Sequence, residues 1–210
     1  IRLSGMNIII GELDRPLIIK VASISSARIQ VYFIDNEDYF RRKFTFRDAE
    51  GKFFEDNDER AIFFARGVLE TVKKLRWAPD IIHCQGWISQ LVPVYLKKAY
   101  KGDPIFSNSK VVLSLYDDTP GESFAANFAD KISYGGVSKE DLPLLDDPNG
   151  INLAKTAVQY ADGVILAAPN IPQEVVDYCK EKGIPVLPYN AKSIENGSYI
   201  KEYNDFYDNL

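Results

Sequence analysis

Histidine is almost absent, with His83 the only one in 210 residues. A metal site built from several imidazoles is therefore excluded, and any nucleophile–histidine pair would have to use His83. Cysteine is nearly as scarce. Cys84 and Cys179 stand far apart in no metal-ligand or redox spacing; they read as reduced structural thiols, one at the end of a buried strand and one in a helix. There is no excess of positive charge: 25 Lys and Arg against 30 Asp and Glu give a net −5, which leaves no footprint for nucleic acid or an anionic membrane. The basic runs 41–43 and 97–98 are short and read as solvated faces. No apolar run approaches the ~18 residues of a membrane helix, and the first six residues lack signal-peptide character. A cytoplasmic protein without a membrane partner is expected. Internal repeats and low-complexity tracts are missing as well. The chain starts with Ile1 rather than Met, which leaves it open to being part of a longer product.

What is present describes a globular chain. At 46% hydrophobic and 26% charged, it can bury a sizeable core, and it is long for one domain and short for two. Segments 7–10, 17–22 and 28–34 are rich in Ile and Val and are punctuated by Gly11, Asp14, Arg15 and Pro16. That pattern predicts an antiparallel meander. Residues 38–56 mix Tyr39, Phe40, Phe44, Phe46, Phe53 and Phe54 with charges and follow no period, so an ordered loop is expected.

From Asn57 onward helix and strand alternate. Asn57 reads as an N-cap with Asp58 and Glu59 in the first turn. Ala61, Ala65, Val68, Val72 and Leu75 then share one helical face, and Pro79 prevents continuation. Strands are expected at 80–84, 111–115, 164–167 and 185–187, and helices at 89–100, 151–160, 172–182 and from about 197. The Gly- and Pro-punctuated stretch 119–149 reads as an insertion with short helices. The expected fold is α/β: a Rossmann-like, mostly parallel, doubly wound sheet with an N-terminal antiparallel β-meander. A single domain is expected, with meander and loop over 1–56, βα units over 57–118 and 150–210, and the insertion between them.

Ligands of open α/β sheets gather at the carboxyl ends of strands. Two such ends are rich in polar and aromatic groups. One carries His83, Gln85, Gly86 and Trp87; the other carries Tyr116, Asp117 and Asp118. Together they describe a crevice of hydrogen-bonding and stacking groups, as sugar sites often are. His83 is equally readable as a satisfied buried imidazole, and Trp87 as a core anchor. Asp117 and Asp118 resemble an acid–base pair, though adjacent carboxylates more commonly solvate a loop or cap a helix. Gly135 and Gly136 lack phosphate-loop spacing and read as a turn.

Several long motifs resemble one family, in order along residues 28–170. Residues 31–35 (VYFID) with Tyr39 and Phe40, then 55–64 (EDNDERAIFF), are similar to the N-terminal domain of bacterial glycogen and starch synthases, where the pattern runs VYFID…Y…DN.ERF.FF. Residues 77–87 (WAPDIIHCQGW) resemble the family's W.PDVVHAHDWH, and the segment ending at Tyr116 resembles its TIHN strand. Residues 152–162 resemble F.KAG..YAD, and 166–169 stand at a TVSP-like turn. The resemblance implies half of a GT-B fold, the half that mainly binds the acceptor. The family reaction transfers glucose from ADP-glucose to an α-1,4-glucan with retention. The final segment 199–207 also resembles the helix that packs back on the first domain in these synthases.

The departures are as informative. The family's acid after the first strand is Gly86 here, two of its histidines are Gln85 and Ile88, and the TIHN histidine and asparagine are Tyr116 and Asp117. A tyrosine of the acceptor loop falls at Phe46. Nothing resembles the K-x-G-G loop or the donor-side E-P-C-G-L and T-G-G-L segments. Losing one well-placed electrostatic group commonly costs on the order of 10²–10³ in rate, so this chain alone is expected to be inactive. The resemblance leaves substrate-binding roles for His83, Gln85, Trp87, Tyr116 and Asp117, with no catalytic residue, cofactor or metal. The expected partners are an α-glucan or maltooligosaccharide, and a protein supplying a donor domain. Two other readings stay open: a non-catalytic regulatory or interaction protein that keeps the fold, and an enzyme with an unrelated site using His83, Tyr116 and Asp117.

Overall fold

The computed structural model of the chain describes residues 2–210. The chain opens with strands β1 (Arg2–Ile10), β2 (Leu13–Ile24) and β3 (Ile29–Asp35), paired antiparallel in that order. Alternation sets the faces: Ile8, Ile10, Leu17 and Ile19 are buried, while Ile9, Lys20 and Phe33 point outward. The short helix α1 (Glu37–Phe40) is capped by Asn36, whose side chain accepts the amides of Asp38 and Tyr39. The loop after it is ordered by α2 (Asn57–Leu75), the longest helix.

Asn57 is not the N-cap. It is the first helical residue, fully buried, and its amide donates to the Phe46 carbonyl while its oxygen accepts from Arg60. The expected cap has become a tether because the aromatic loop folds back over this end of the helix. At the other end Arg76 takes a left-handed conformation, φ 52°, and closes α2 before Pro79.

The rest is a parallel sheet in the order β4 (Ile81–Gln85), β5 (Lys110–Leu115), β6 (Gly163–Leu166) and β7 (Val186–Leu187). Between the strands run α3 (Val92–Lys98), α4 (Phe128–Ile132), α5 (Gly150–Tyr160) and α6 (Gln173–Glu181). Pro93 sits in the first turn of α3, where a missing N–H costs nothing. Since each strand is added on the same side of its predecessor, right-handed crossovers place α3, α5 and α6 on one face, and these helices pack on one another. The opposite face is covered from the C-terminus. After a short α7 (Ala191–Asn196), which the periodicity does not announce, α8 (Tyr199–Asp208) crosses the sheet. It settles on Gly163, where a Cβ would meet the Phe206 ring at 2.9 Å.

The insertion 119–149 is tied down rather than loose. Lys131 of α4 reaches the buried Asp58 carboxylate of α2 at 2.9 Å, and Phe124 N–H donates to the Pro148 carbonyl at 2.7 Å. On the edge of the sheet's helical side, Asp162 accepts Lys97 Nζ and the Val111 amide together, fixing α3 to β5.

Candidate functional site

The carboxyl ends of β4 and β5 lie side by side, with Gln85 opposite Ser114 in register. Side chains alternate along each strand, so His83 and Gln85 share a face with Ser114 and Tyr116. That is the face under α8. His83 Nε2 lies 2.6 Å from Ser114 Oγ, and its Nδ1 lies 2.6 Å from Tyr207 Oη. Tyr203 meets the imidazole edge-on, with ring centroids 5.9 Å apart. Both ring nitrogens are thus satisfied by hydroxyls, and burial holds the imidazole below its ordinary pKa. Beside it, Tyr116 Oη donates to Gln85 Oε1 at 3.3 Å. Burial raises the Tyr116 phenol. Gln85 is exposed, while Tyr116 and His83 are both half-buried.

Trp87 turns the other way. Only 2% exposed, it is boxed by Phe46, Phe53 and Phe124 with centroids 4.8, 5.9 and 5.6 Å away. Its backbone N–H donates to Asp118 Oδ2 at 2.9 Å. An indole in such a box offers no open face for stacking; what it does is set the wall. A cleft of about 300 Å³ runs along that wall, lined by Phe46, Arg47, Trp87, Asp117, Asp118 and Thr119 among others. Arg47 is engaged with the Glu122 carboxylate through both guanidinium nitrogens. Burial raises the Asp118 carboxyl, partly offset by the Trp87 amide.

The five residues singled out by sequence are therefore divided between two neighbouring compartments. Gln85 and Tyr116 stand together on the α8 side, with His83 beneath them. Asp117 and the edge of Trp87 face the aromatic loop. Sequence reasoning missed Ser114, Tyr203 and Tyr207, the partners of His83. A signal for them existed: Tyr199, Tyr203 and Tyr207 recur every four residues and so share one helix face. The thiols lie elsewhere in the chemistry: Cys84 and Cys179 are free and buried, and burial pushes Cys84 up to about 12 and Cys179 up to about 11. Among the described residues, no group of three or more His, Cys, Asp or Glu is placed to hold a metal ion, and no helix is long and apolar enough to cross a membrane.

The lone histidine makes a clean test of this packing. Its folded-state pKa is lowered, so between that value and the unfolded value near 6.5 the unfolded chain binds a proton that the folded chain refuses. Stability is then retained above about pH 6.5 and lost as pH falls below it. Glu59 and Asp118, both raised by burial, titrate with the opposite sign. The comparison with His83→Gln cancels them. Urea midpoints should fall more steeply from pH 7 to 5.5 in the wild type than in His83→Gln; parallel curves would mean that His83 is no less hydrated in the folded chain.

With this geometry in view, comparison with known proteins places the chain. A family profile described as "Starch synthase catalytic domain" matches residues 4–185. The chain belongs to the starch synthase catalytic domain family. Glycogen synthase of Chlorobaculum parvum is 30% identical over 220 residues, taking in 100% of this chain and 44% of the relative. Glycogen synthase of Chlorobium luteolum reaches 41% over 118 residues, which is 56% of this chain and 24% of the relative. The chain thus spans less than half the length of these curated relatives. Among solved structures, the catalytic domain of Starch Synthase IV from Arabidopsis thaliana bound to ADP and acarbose superposes with a TM-score of 0.65 at 15% identity. It covers 89% of this chain and 40% of that one. At that identity the likeness is one of fold, and it agrees with the α/β, meander-plus-parallel-sheet architecture expected from sequence.

Proposed function

We propose that this chain is the glucan-acceptor side of a glycogen/starch synthase-type glucosyltransferase, and that the polypeptide by itself does not transfer glucose from ADP-glucose. The observation that carries the reading is the family match across residues 4–185, on a fold whose β4 and β5 ends leave Gln85, Tyr116 and Asp117 open to solvent. These groups offer an amide, a phenol and a carboxylate to sugar hydroxyls, beside His83 and Trp87, which are engaged with Ser114, Tyr207 and the aromatic loop. Residues 1–210 act as one domain in this reading, and the protein works in the cytoplasm. The inactivity follows from chemistry: with Gly86 and Tyr116 where relatives have an acid and an imidazole, the preorganised polar groups that stabilise developing charge are reduced. A partner polypeptide that brings the nucleotide site would supply the rest by holding donor and acceptor together.

The test is direct. Purified chain incubated with labelled ADP-glucose and glycogen should give no incorporation above a blank without protein, while calorimetry with maltoheptaose should register weak binding. Incorporation above the blank would overturn the inactivity. Absence of heat would remove the acceptor role and leave the scaffold reading, in which the chain binds only another protein.

A further inference from the structure

Position 86 disfavours a side chain. Gly86 has φ 79° and ψ 160°, a region that L residues with a Cβ scarcely visit. A Cβ built there would stand 3.2 Å from Asp118 Oδ2. The same oxygen accepts the Trp87 N–H at 2.9 Å. The volume that a side chain at 86 would enter is thus taken by a carboxylate delivered from just beyond the neighbouring strand.

We propose that Asp118 is the binding acid of the cleft between the aromatic loop and the β5 end, accepting hydrogen bonds from hydroxyls of an α-glucan in place of a side chain that position 86 disfavours. The proposal rests on the acceptor reading given above and names the group that contacts the sugar. Three features support it. Asp118 lines the cleft of about 300 Å³ beside Trp87 and Phe46, a size at the lower end of small-ligand sites. Among the described residues no Lys or Arg pairs with it, because the nearby Arg47 is committed to Glu122. A carboxylate without a paired cation is free to accept from neutral donors, and hydrogen bonds to an ionised acceptor are roughly twice as strong as neutral ones. Desolvation by the surrounding protein raises this carboxyl, so the charge needed for binding is lost at a higher pH than for an unperturbed aspartate.

The experiment is calorimetric titration of the whole chain with maltoheptaose, comparing wild type with Asp118→Asn and with Asp130→Asn on the exposed side of α4. Asparagine keeps an oxygen for the Trp87 amide, so near-ultraviolet circular dichroism and the melting temperature should hold. The expected result is at least a tenfold loss of affinity for Asp118→Asn and less than a twofold change for Asp130→Asn. Wild-type affinity retained in Asp118→Asn would overturn the proposal and reduce Asp118 to a cap on the Trp87 turn, with the acceptor reading intact. No heat from the wild type would instead sink both. Should Asp118→Asn fail to fold, the pH profile of wild-type binding decides: affinity should drop on acidification while the fold persists, and a flat profile from pH 7.5 to 4.5 contradicts an acidic contact.

Discussion

Replacing Arg60 by Met should destabilise the chain by about 3 kcal/mol and loosen the aromatic loop, measured as a lower urea midpoint and new hydrogen exchange across residues 39–56. Arg60 is 3% exposed, and no carboxylate touches its guanidinium. It donates instead to the Tyr39 carbonyl at 2.9 Å, to the Thr45 carbonyl and to Asn57 Oδ1, both at 2.6 Å. The rings of Phe40, Phe46 and Phe54 surround it at 5.5 to 5.8 Å. Burial brings its pKa down to about 10, so it stays charged at neutral pH and is held by carbonyl oxygens and π-faces. Met fills much of the volume but leaves buried acceptors without donors, at ~1–3 kcal/mol for each one that water cannot reach. Arg60→Lys keeps the charge and can satisfy only part of the fork, so it should fall between Met and wild type. A midpoint for Arg60→Met equal to wild type would show that the loop is held by its aromatics alone. Maltoheptaose binding should weaken in parallel, because Phe46 and Phe53 box Trp87 and line the cleft.

That arginine explains where sequence reasoning stopped. The helices and parallel strands from 57 to 187 were legible because a buried sheet and amphipathic helices impose periods of 2 and 3.6 on the residues themselves. The meander was legible for the same reason. Residues 38–56 carry no such period, since much of their order comes from α2: Arg60 reaches the Tyr39 and Thr45 carbonyls, and Asn57 reaches that of Phe46. Asn57 shows the same failure in miniature: a residue type that caps helices well in isolation is used here to bind the Phe46 carbonyl. Local chemistry proposed the cap, and tertiary contact overrode it.

The site was legible in outline and not in its divisions. Strand ends rich in polar groups pointed to β4 and β5, and family motifs pointed to the same residues. What sequence could not separate is which of these residues is covered, because that depends on where the C-terminal helix lands. With α8 laid over Gly163, His83 is held between Ser114 and Tyr207 and half-buried, as Tyr116 is, while Gln85 remains exposed. Asp117 and Asp118 are adjacent in sequence and both exposed, yet differ in role: only Asp118 accepts the Trp87 amide and holds that turn.

Gly150→Ala should lower stability by about 2 kcal/mol, although the same change in an open helix would raise it by roughly 1 kcal/mol. Gly150 is the buried first residue of α5, and a Cβ there would lie 2.3 Å from the Pro120 carbonyl oxygen and 3.0 Å from Thr119 Cγ2. The obstacle is backbone, so it cannot swing aside as a flexible side chain would; overpacking of this kind costs ~1–3 kcal/mol or more. Relief requires either α5 or the 119–120 segment to move. The second is held by the nearby Phe124, whose N–H is bonded to the Pro148 carbonyl and whose ring meets Trp87 at a tilt, centroids 5.6 Å apart. Strain therefore passes into the cleft wall formed by Thr119, Pro120 and Trp87. The melting temperature should drop, and maltoheptaose affinity should fall even in conditions where the variant is fully folded. A melting temperature at or above wild type would mean that helix propensity wins and the close approach of α5 to Pro120 is not a constraint of the folded chain. Unchanged affinity in a destabilised variant would place the strain in α5 alone and uncouple the insertion from the cleft.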